Sequence, residues 1–180
     1  MYIRDNEESY TKIDTPQMIE VDRLMMDEYG IKLIQMMENA GRGLAIVARD
    51  KFLHGDPQAK RICILAGTGG NGGGAMVCAR RLSAWGANVT IVITAPEEKM
   101  TPVPLHQYKI LKRMGVDLKT VDQLDKEPPF DLVIDGIIGY SVKGDPYGTA
   151  RQMIDWANSV STKVLSLDTP SGLDLSLIHI

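Results

Sequence analysis

Apolar positions along this chain fall into two rhythms, and the change comes near residue 54. Before it, apolar residues recur every three or four positions. Thr15-Pro16 supplies a capping hydroxyl and a proline suited to a helix start. Met18, Ile19, Val21, Leu24 and Met25 then recur at helical spacing until Tyr29-Gly30 ends the run. A second helix is expected over 33–53, with Leu33, Met36, Met37, Ala40, Leu44 and Val47 on its apolar side. After the loop HGDPQAK the pattern changes to short apolar runs alternating with helical stretches. Strands are expected at 61–66, 88–94, 117–121, 131–135 and 163–168, and helices at 74–85, 102–114 and 149–160. Such alternation predicts an α/β three-layer fold with a mostly parallel sheet covered on both faces. The two leading helices would pack on it as an N-terminal extension.

Bulk properties narrow the classes. With 180 residues, 44% hydrophobic and 24% charged, the chain suits one domain with a real core. A net charge of −3, without a basic cluster, argues against a nucleic-acid partner. No apolar run approaches the roughly 20 residues needed to cross a bilayer, and MYIRDNEESYTK has no signal-peptide core. Cys63 and Cys78 have no CxxC partner and read as reduced, buried thiols, so the cytoplasm is the expected location. His54 and His106 are expected on the surface. The last six residues, LSLIHI, follow PSGLD without turn or strand logic and read like a translated sequencing adapter. The expectation is one domain over 1–174, truncated at its C-terminal end, and a non-native tail over 175–180.

The chemistry gathers around AGTGGNGGGAM, residues 66–76, with six glycines between a strand and a helix. Gly67, Gly69 and Gly72 satisfy G-x-G-x-x-G. The acidic residue that would hold a ribose at the end of the second strand is missing, and no Lys-Ser/Thr follows as in a Walker loop. One alternative is that the glycines serve only tight packing of helix on strand. Asn71 is open to two readings, an oxygen ligand for a hard cation or a residue tolerating a left-handed turn. Asp135 ends LVID and Asp168 ends VLSLD, so both belong at the carboxyl edge of the sheet, where such folds bind ligands. Ser171 follows Asp168 in a stiff Thr-Pro-Ser-Gly turn. Two carboxylates, an amide and a hydroxyl form an oxygen-rich set suited to a hard cation, and no zinc spacing is present.

Four segments together, ENAG (38–41), GTGGNGGGAMVCARRL (67–82), IDGIIGYSVKGDP (134–146) and LDTPSGLD (167–174), resemble the YjeF N-terminal domain family in order and spacing. The resemblance covers about residues 13 to 174. It implies a Rossmann-like αβα sandwich, often a homodimer, that binds one potassium ion per subunit. The activity it implies is NAD(P)H-hydrate epimerase, an isomerase that interconverts the R and S epimers of hydrated NADH or NADPH. The hydrated dinucleotide is then a substrate, and an ADP- or ATP-dependent dehydratase is the functional partner. Carried over by position, potassium ligands fall on Asn71, Asp135 and Ser171. Substrate-binding positions fall on Gly70, Asn71, Gly72, Gly73 and Gly74, on Gly139, Tyr140, Ser141, Val142, Lys143, Gly144 and Asp145, and on Asp168. Asp168 is the first choice for acid and base, with Lys143 as a donor to the leaving oxygen or a contact to phosphate.

The loop departs from the family's usual G-P-G-N-N-G-G-D-G. Thr68 replaces Pro, Gly70 the first Asn, Gly74 the Asp and Ala75 a Gly. Losing that carboxylate would leave a positive helix end open to phosphate. Two other classes compete with the epimerase, a non-catalytic nucleotide-binding or scaffold module on the same fold and an NAD-dependent dehydrogenase, which ranks last for want of the ribose acid.

Overall fold

The computed structural model describes residues 13–140, 142 and 144–173. Five strands, β1 (Arg61–Ala66), β2 (Asn88–Ile93), β3 (Asp117–Lys119), β4 (Leu132–Gly136) and β5 (Val164–Ser166), form one sheet in the order β3-β2-β1-β4-β5. Every pairing is parallel. The helices are α1 (Thr15–Asp27), α2 (Leu33–Val47), α3 (Gly70–Ala84), α4 (Pro102–Met114), α5 (Val121–Leu124) and α6 (Gly148–Ser159). The expected three-layer architecture is therefore present, with a wholly parallel sheet.

Several boundaries differ from expectation. The cap of α1 is Asp14, not Thr15: its carboxylate accepts from Gln17 N at 2.8 Å, and Gln17 Oε1 accepts from Asp14 N at 2.8 Å. This reciprocal pair satisfies two orphan helix-end donors that one hydroxyl could not. The helix expected to 53 loses α-geometry after Val47 and ends in a π-turn over Ala48–Phe52, where Leu53 N donates to Ala48 O at 3.1 Å. Val47 is correspondingly exposed, and the buried stripe of α2 is Met37, Gly41, Leu44 and Ala45. Most consequential for the site, α3 begins at Gly70, four residues before the expected start at 74. Tertiary packing overrides glycine's poor helix propensity there.

Alternation along the strands divides the core. Ile62, Ile64, Ala66, Leu132 and Ile134 pack with α2, α3 and α4 on one face. Cys63, Leu65 and Val133 pack with Leu124, Met153 and Trp156 on the other. Burial on both faces explains why β1 reads as an unbroken apolar run. Both thiols are buried and unpaired, and burial pushes both up from their ordinary value. The ENAG segment is structural in two of its positions. A Cβ on Gly41 would stand 2.3 Å from Gly74 O and 2.5 Å from Val77 Cβ, so the crossing of α2 and α3 requires glycine. Glu38 accepts from Arg80, from Arg81 at 3.3 Å and from Gln107 at 3.0 Å, tying α2 to α3 and α4. Burial opposes its charge, but the Arg80 and Gln107 hydrogen bonds hold its carboxyl below the usual range.

Candidate functional site

The glycine loop serves two purposes that the sequence did not separate. Gly67 and Gly72 are packing positions: added Cβ atoms would lie 2.1 Å from Ile137 O and 1.8 Å from Gly67 O. Gly73 is filled by Met37, whose Sδ would be 2.1 Å from a Cβ, and Gly74 abuts Leu167 Cδ2 at 2.6 Å. Gly72, Gly73 and Gly74 are buried, so Gly72 shapes the site by letting α3 approach the chain just after β1, and Gly73 by seating Met37 of α2, rather than by presenting a surface. Gly69 and Gly70 face open space. With Gly69 as the cap and Gly73 N bonded to Gly69 O at 3.0 Å, the free N–H groups of the helix end belong to residues 70–72. Gly74 lies one turn further in, so the missing family Asp does not bare the helix terminus itself. No acid occupies the first turn, and the positive end is at Gly70–Gly72.

Asp168 sits beyond β5, in a three-residue turn closed by Thr169 N donating to Leu167 O at 2.9 Å. Its φ is +69°, a left-handed backbone that Asp tolerates better than most residues but that still costs about 1–3 kcal/mol. The turn is fixed from both sides. Asn71 Nδ2 donates to Leu167 O at 3.1 Å, and Leu167 N donates to Asp135 O at 2.8 Å. Tyr140 N donates to Asp168 Oδ2 at 2.8 Å. A Cβ on Gly139 would meet Asp168 Oδ2 at 2.8 Å and Asn71 Oδ1 at 3.3 Å, so these two oxygens converge on a glycine that makes room for them.

Asp168 opens onto a cleft of about 540 Å³. Gly70, Asn71 and Gly74 line one side, Gly139, Tyr140 and Leu167 another, and Met18, Asp22, Leu33, Met36, Met37 and Ala40 of the leading helices close it. The charged groups among these described residues are Asp22 and Asp168, so the cleft is apolar-walled and acidic. Sequence reasoning missed Asp22, taking α1 as a packing extension. The available signal was its place four residues after Met18, on the same helix side. The Tyr140 hydroxyl donates to Asp22 Oδ2 at 2.7 Å. Burial, and after it this bond, pushes the Tyr140 phenol up to about 12.

Asp135 and Ser171 lie behind this cleft in direct contact. Ser171 Oγ is 2.5 Å from Asp135 Oδ1, and Ser171 N donates to Oδ2 at 2.8 Å. Ser166 Oγ and Ile137 N add bonds at 3.0 and 3.2 Å. Asp135 is 6% exposed, yet among the described residues no lysine or arginine pairs with it. Ser171 Oγ also accepts from Ile138 N at 2.9 Å and lies 3.0 Å from Ile138 O. One hydroxyl proton cannot serve both Asp135 Oδ1 and Ile138 O. A buried carboxylate without a basic partner, amid surplus oxygens, fits a hard cation in its donor chemistry. Asn71 reaches this pair through Leu167 rather than by direct contact, and its Oδ1 is directed to Gly139.

The 139–145 loop spans two cavities. Val142, Gly144 and Asp145 line a second space of about 460 Å³ with Thr94, Ala95, Lys99 and Ile138. Ser141 and Lys143 lie outside the described residues, as do residues 174–180 and hence the segment expected to be a non-native tail. His54 and His106 are exposed, as expected. No helix among the described residues is long and apolar enough to cross a membrane.

Fold and site together define a Rossmann-like α/β domain with its ligand edge at the glycine loop, at Asp135 near the end of β4, and at Asp168, which lies in the turn after β5 rather than at the strand end the sequence suggested. The chain belongs to the family described as YjeF-related protein N-terminus, whose model matches residues 33–178. It is 38% identical over 168 residues to an NAD(P)H-hydrate epimerase of Dehalogenimonas lykanthroporepellens, covering 93% of this chain and 67% of that protein. It is also 31% identical over 159 residues to a bifunctional NAD(P)H-hydrate repair enzyme Nnr of Thermofilum pendens, covering 85% of this chain and 30% of the relative. The crystal structure of the yeast protein YNL200c superposes with a TM-score of 0.80 at 26% identity, covering 92% of this chain and 73% of that one.

Proposed function

We infer that this protein is an NAD(P)H-hydrate epimerase, an isomerase that interconverts the R and S epimers of hydrated NADH or NADPH. The observation that carries the reading is Asp168, held in a left-handed turn by Tyr140 N and Leu167 at the mouth of the 540 Å³ cleft. The curated epimerase relative supports the same activity. The hydrated carbon carries a hydroxyl beside a ring nitrogen, so inversion needs no redox change. A carboxylate can take the hydroxyl proton as the carbon–oxygen double bond forms and the carbon–nitrogen bond breaks, and pass that proton to the nitrogen, which keeps the electron pair. Closure on the opposite face returns the proton and gives the other epimer. Asp168 Oδ2 already accepts from Tyr140 N, whereas Oδ1 has no hydrogen-bond donor among the described residues and is the better placed oxygen to take this proton. The Met-lined wall of the cleft suits the neutral hydrated ring, and the free N–H groups of Gly70 and Asn71, which line its other side, suit the pyrophosphate.

Asn71, Asp135 and Ser171 would hold one potassium ion, which would offset the buried Asp135 charge and stiffen the turns after β4 and β5. Lys143 is proposed to contact phosphate or donate to the reacting oxygen. A dehydratase acting on the S epimer is the expected partner, supported by the relative named as bifunctional. A homodimer is supported by exposed Ile19, Val21, Met26 and Tyr29 on and just after α1, and a cytoplasmic setting by the two unpaired thiols.

Two measurements test this reading. Asp168→Asn should abolish acceleration of epimerisation while nucleotide binding stays near wild type, and unchanged turnover would remove Asp168 from the acid–base role. Exchanging potassium for lithium at constant ionic strength should lower the melting temperature by a few degrees, through loss of a ligand bound only by the folded state. Equal melting in both salts would remove the ion.

A further inference from the structure

We propose that Asp22, on the leading helix α1, is a positioning residue for Asp168, acting through Tyr140. The inference rests on the assignment of Asp168 to proton transfer.

The linkage is continuous. Asp22 Oδ2 accepts the Tyr140 hydroxyl at 2.7 Å, and Tyr140 N donates to Asp168 Oδ2 at 2.8 Å. One residue of the loop after β4 is thus held at its side chain by α1, and with its backbone it holds the reacting carboxylate. No other hydrogen bond joins α1 to this loop or to the Asp168 turn among the described residues. The Asp168 turn cannot settle its carboxylate unaided, because its closing bond is made by backbone atoms and leaves the side-chain torsion free. Gly139 adds no side chain that could wedge the carboxylate in place. The orientation of Asp168 therefore depends on where Tyr140 N points, and that depends on Asp22. Met18, one turn earlier on α1, forms the adjoining wall of the same cleft, so anchoring Tyr140 also sets the width of the opening.

A residue acting this way should affect the chemical step more than binding, and its effect should vanish once Tyr140 can no longer respond to it. The test compares wild type, Asp22→Ala, Asp22→Asn, Tyr140→Phe, the Asp22→Ala/Tyr140→Phe double variant and Asp168→Asn in the full chain. The substrate is the isolated R epimer of NADH hydrate, with an S-specific dehydratase in excess, and circular dichroism checks folding. Asp22→Ala and Tyr140→Phe should each lower kcat roughly ten- to a hundredfold with KM changed less than about threefold, as expected for a misplaced catalytic group. The double variant should be no worse than the poorer single one. Asp22→Asn, whose amide oxygen still accepts the phenol hydrogen, should recover most of the rate. Multiplicative losses, a rise in KM with kcat intact, or wild-type turnover by a folded Asp22→Ala would each overturn the positioning role. An Asp168→Asn variant as active as wild type would overturn the Asp168 assignment and this inference together. An inactive Asp168→Asn beside an unimpaired Asp22→Ala would sink the inference alone.

Discussion

Asp168 shows how little of a catalytic geometry resides in the residue that performs it. Its place at a strand end and its Thr-Pro-Ser-Gly neighbours mark it in the sequence. Its left-handed φ and its bond from Tyr140 N do not appear there, because both depend on chain more than twenty residues away. The glycines show the converse. Six in a row of eleven suggest one role, yet the space around each separates them. Gly72→Ala would drive a Cβ into Gly67 O, a backbone atom that cannot give way, and should destabilise by about 3 kcal/mol or more. Gly139→Ala meets only the ends of the Asp168 and Asn71 side chains, so melting should stay near wild type while turnover falls about a hundredfold. Thermal melts and steady-state rates of the two variants check this division. If Gly139→Ala lost stability and activity in proportion, its role would be packing.

Helix α3 is the element on which the site turns. Its early start at Gly70 was not legible because local propensity opposes it. What permits it is the close fit of Gly72 to Gly67 and of Gly73 to Met37. The short elements β3 and α5 carry weak periodic signals: the expected strand at 117–121 proved to be three residues, and α5 was unforeseen. The ENAG segment marked the family, but its physical content is the Glu38 network and the Gly41 crossing. Glu38→Ala would strip Arg80, Arg81 and Gln107 of their shared acceptor, and should cost roughly 1–3 kcal/mol, discounted because the group is partly exposed. The folded carboxyl lies below its ordinary value, so its stabilisation is present above the unfolded value near 4.5 and is lost as pH falls through the folded one. Denaturant melts at pH 7 and at pH 3 should therefore differ more for wild type than for Glu38→Gln. Equal differences would show that the network contributes nothing to acid sensitivity.

Across the whole molecule, the parallel order β3-β2-β1-β4-β5 brings the ends of β1, β4 and β5 to one edge, and α1 and α2 roof that edge. The alternation of short strands and helices made this architecture readable, since burial on both faces leaves an unmistakable apolar pattern. The roof was not readable, because amphipathic helices announce that they pack without announcing on what. The direct test mixes the isolated R epimer of NADH hydrate with an S-specific dehydratase and follows the return of nicotinamide absorbance. With this protein added, absorbance should return at a rate proportional to its concentration and well above the spontaneous rate. A return no faster than the spontaneous one, from folded protein in potassium buffer, would contradict the assignment of the chain as an epimerase.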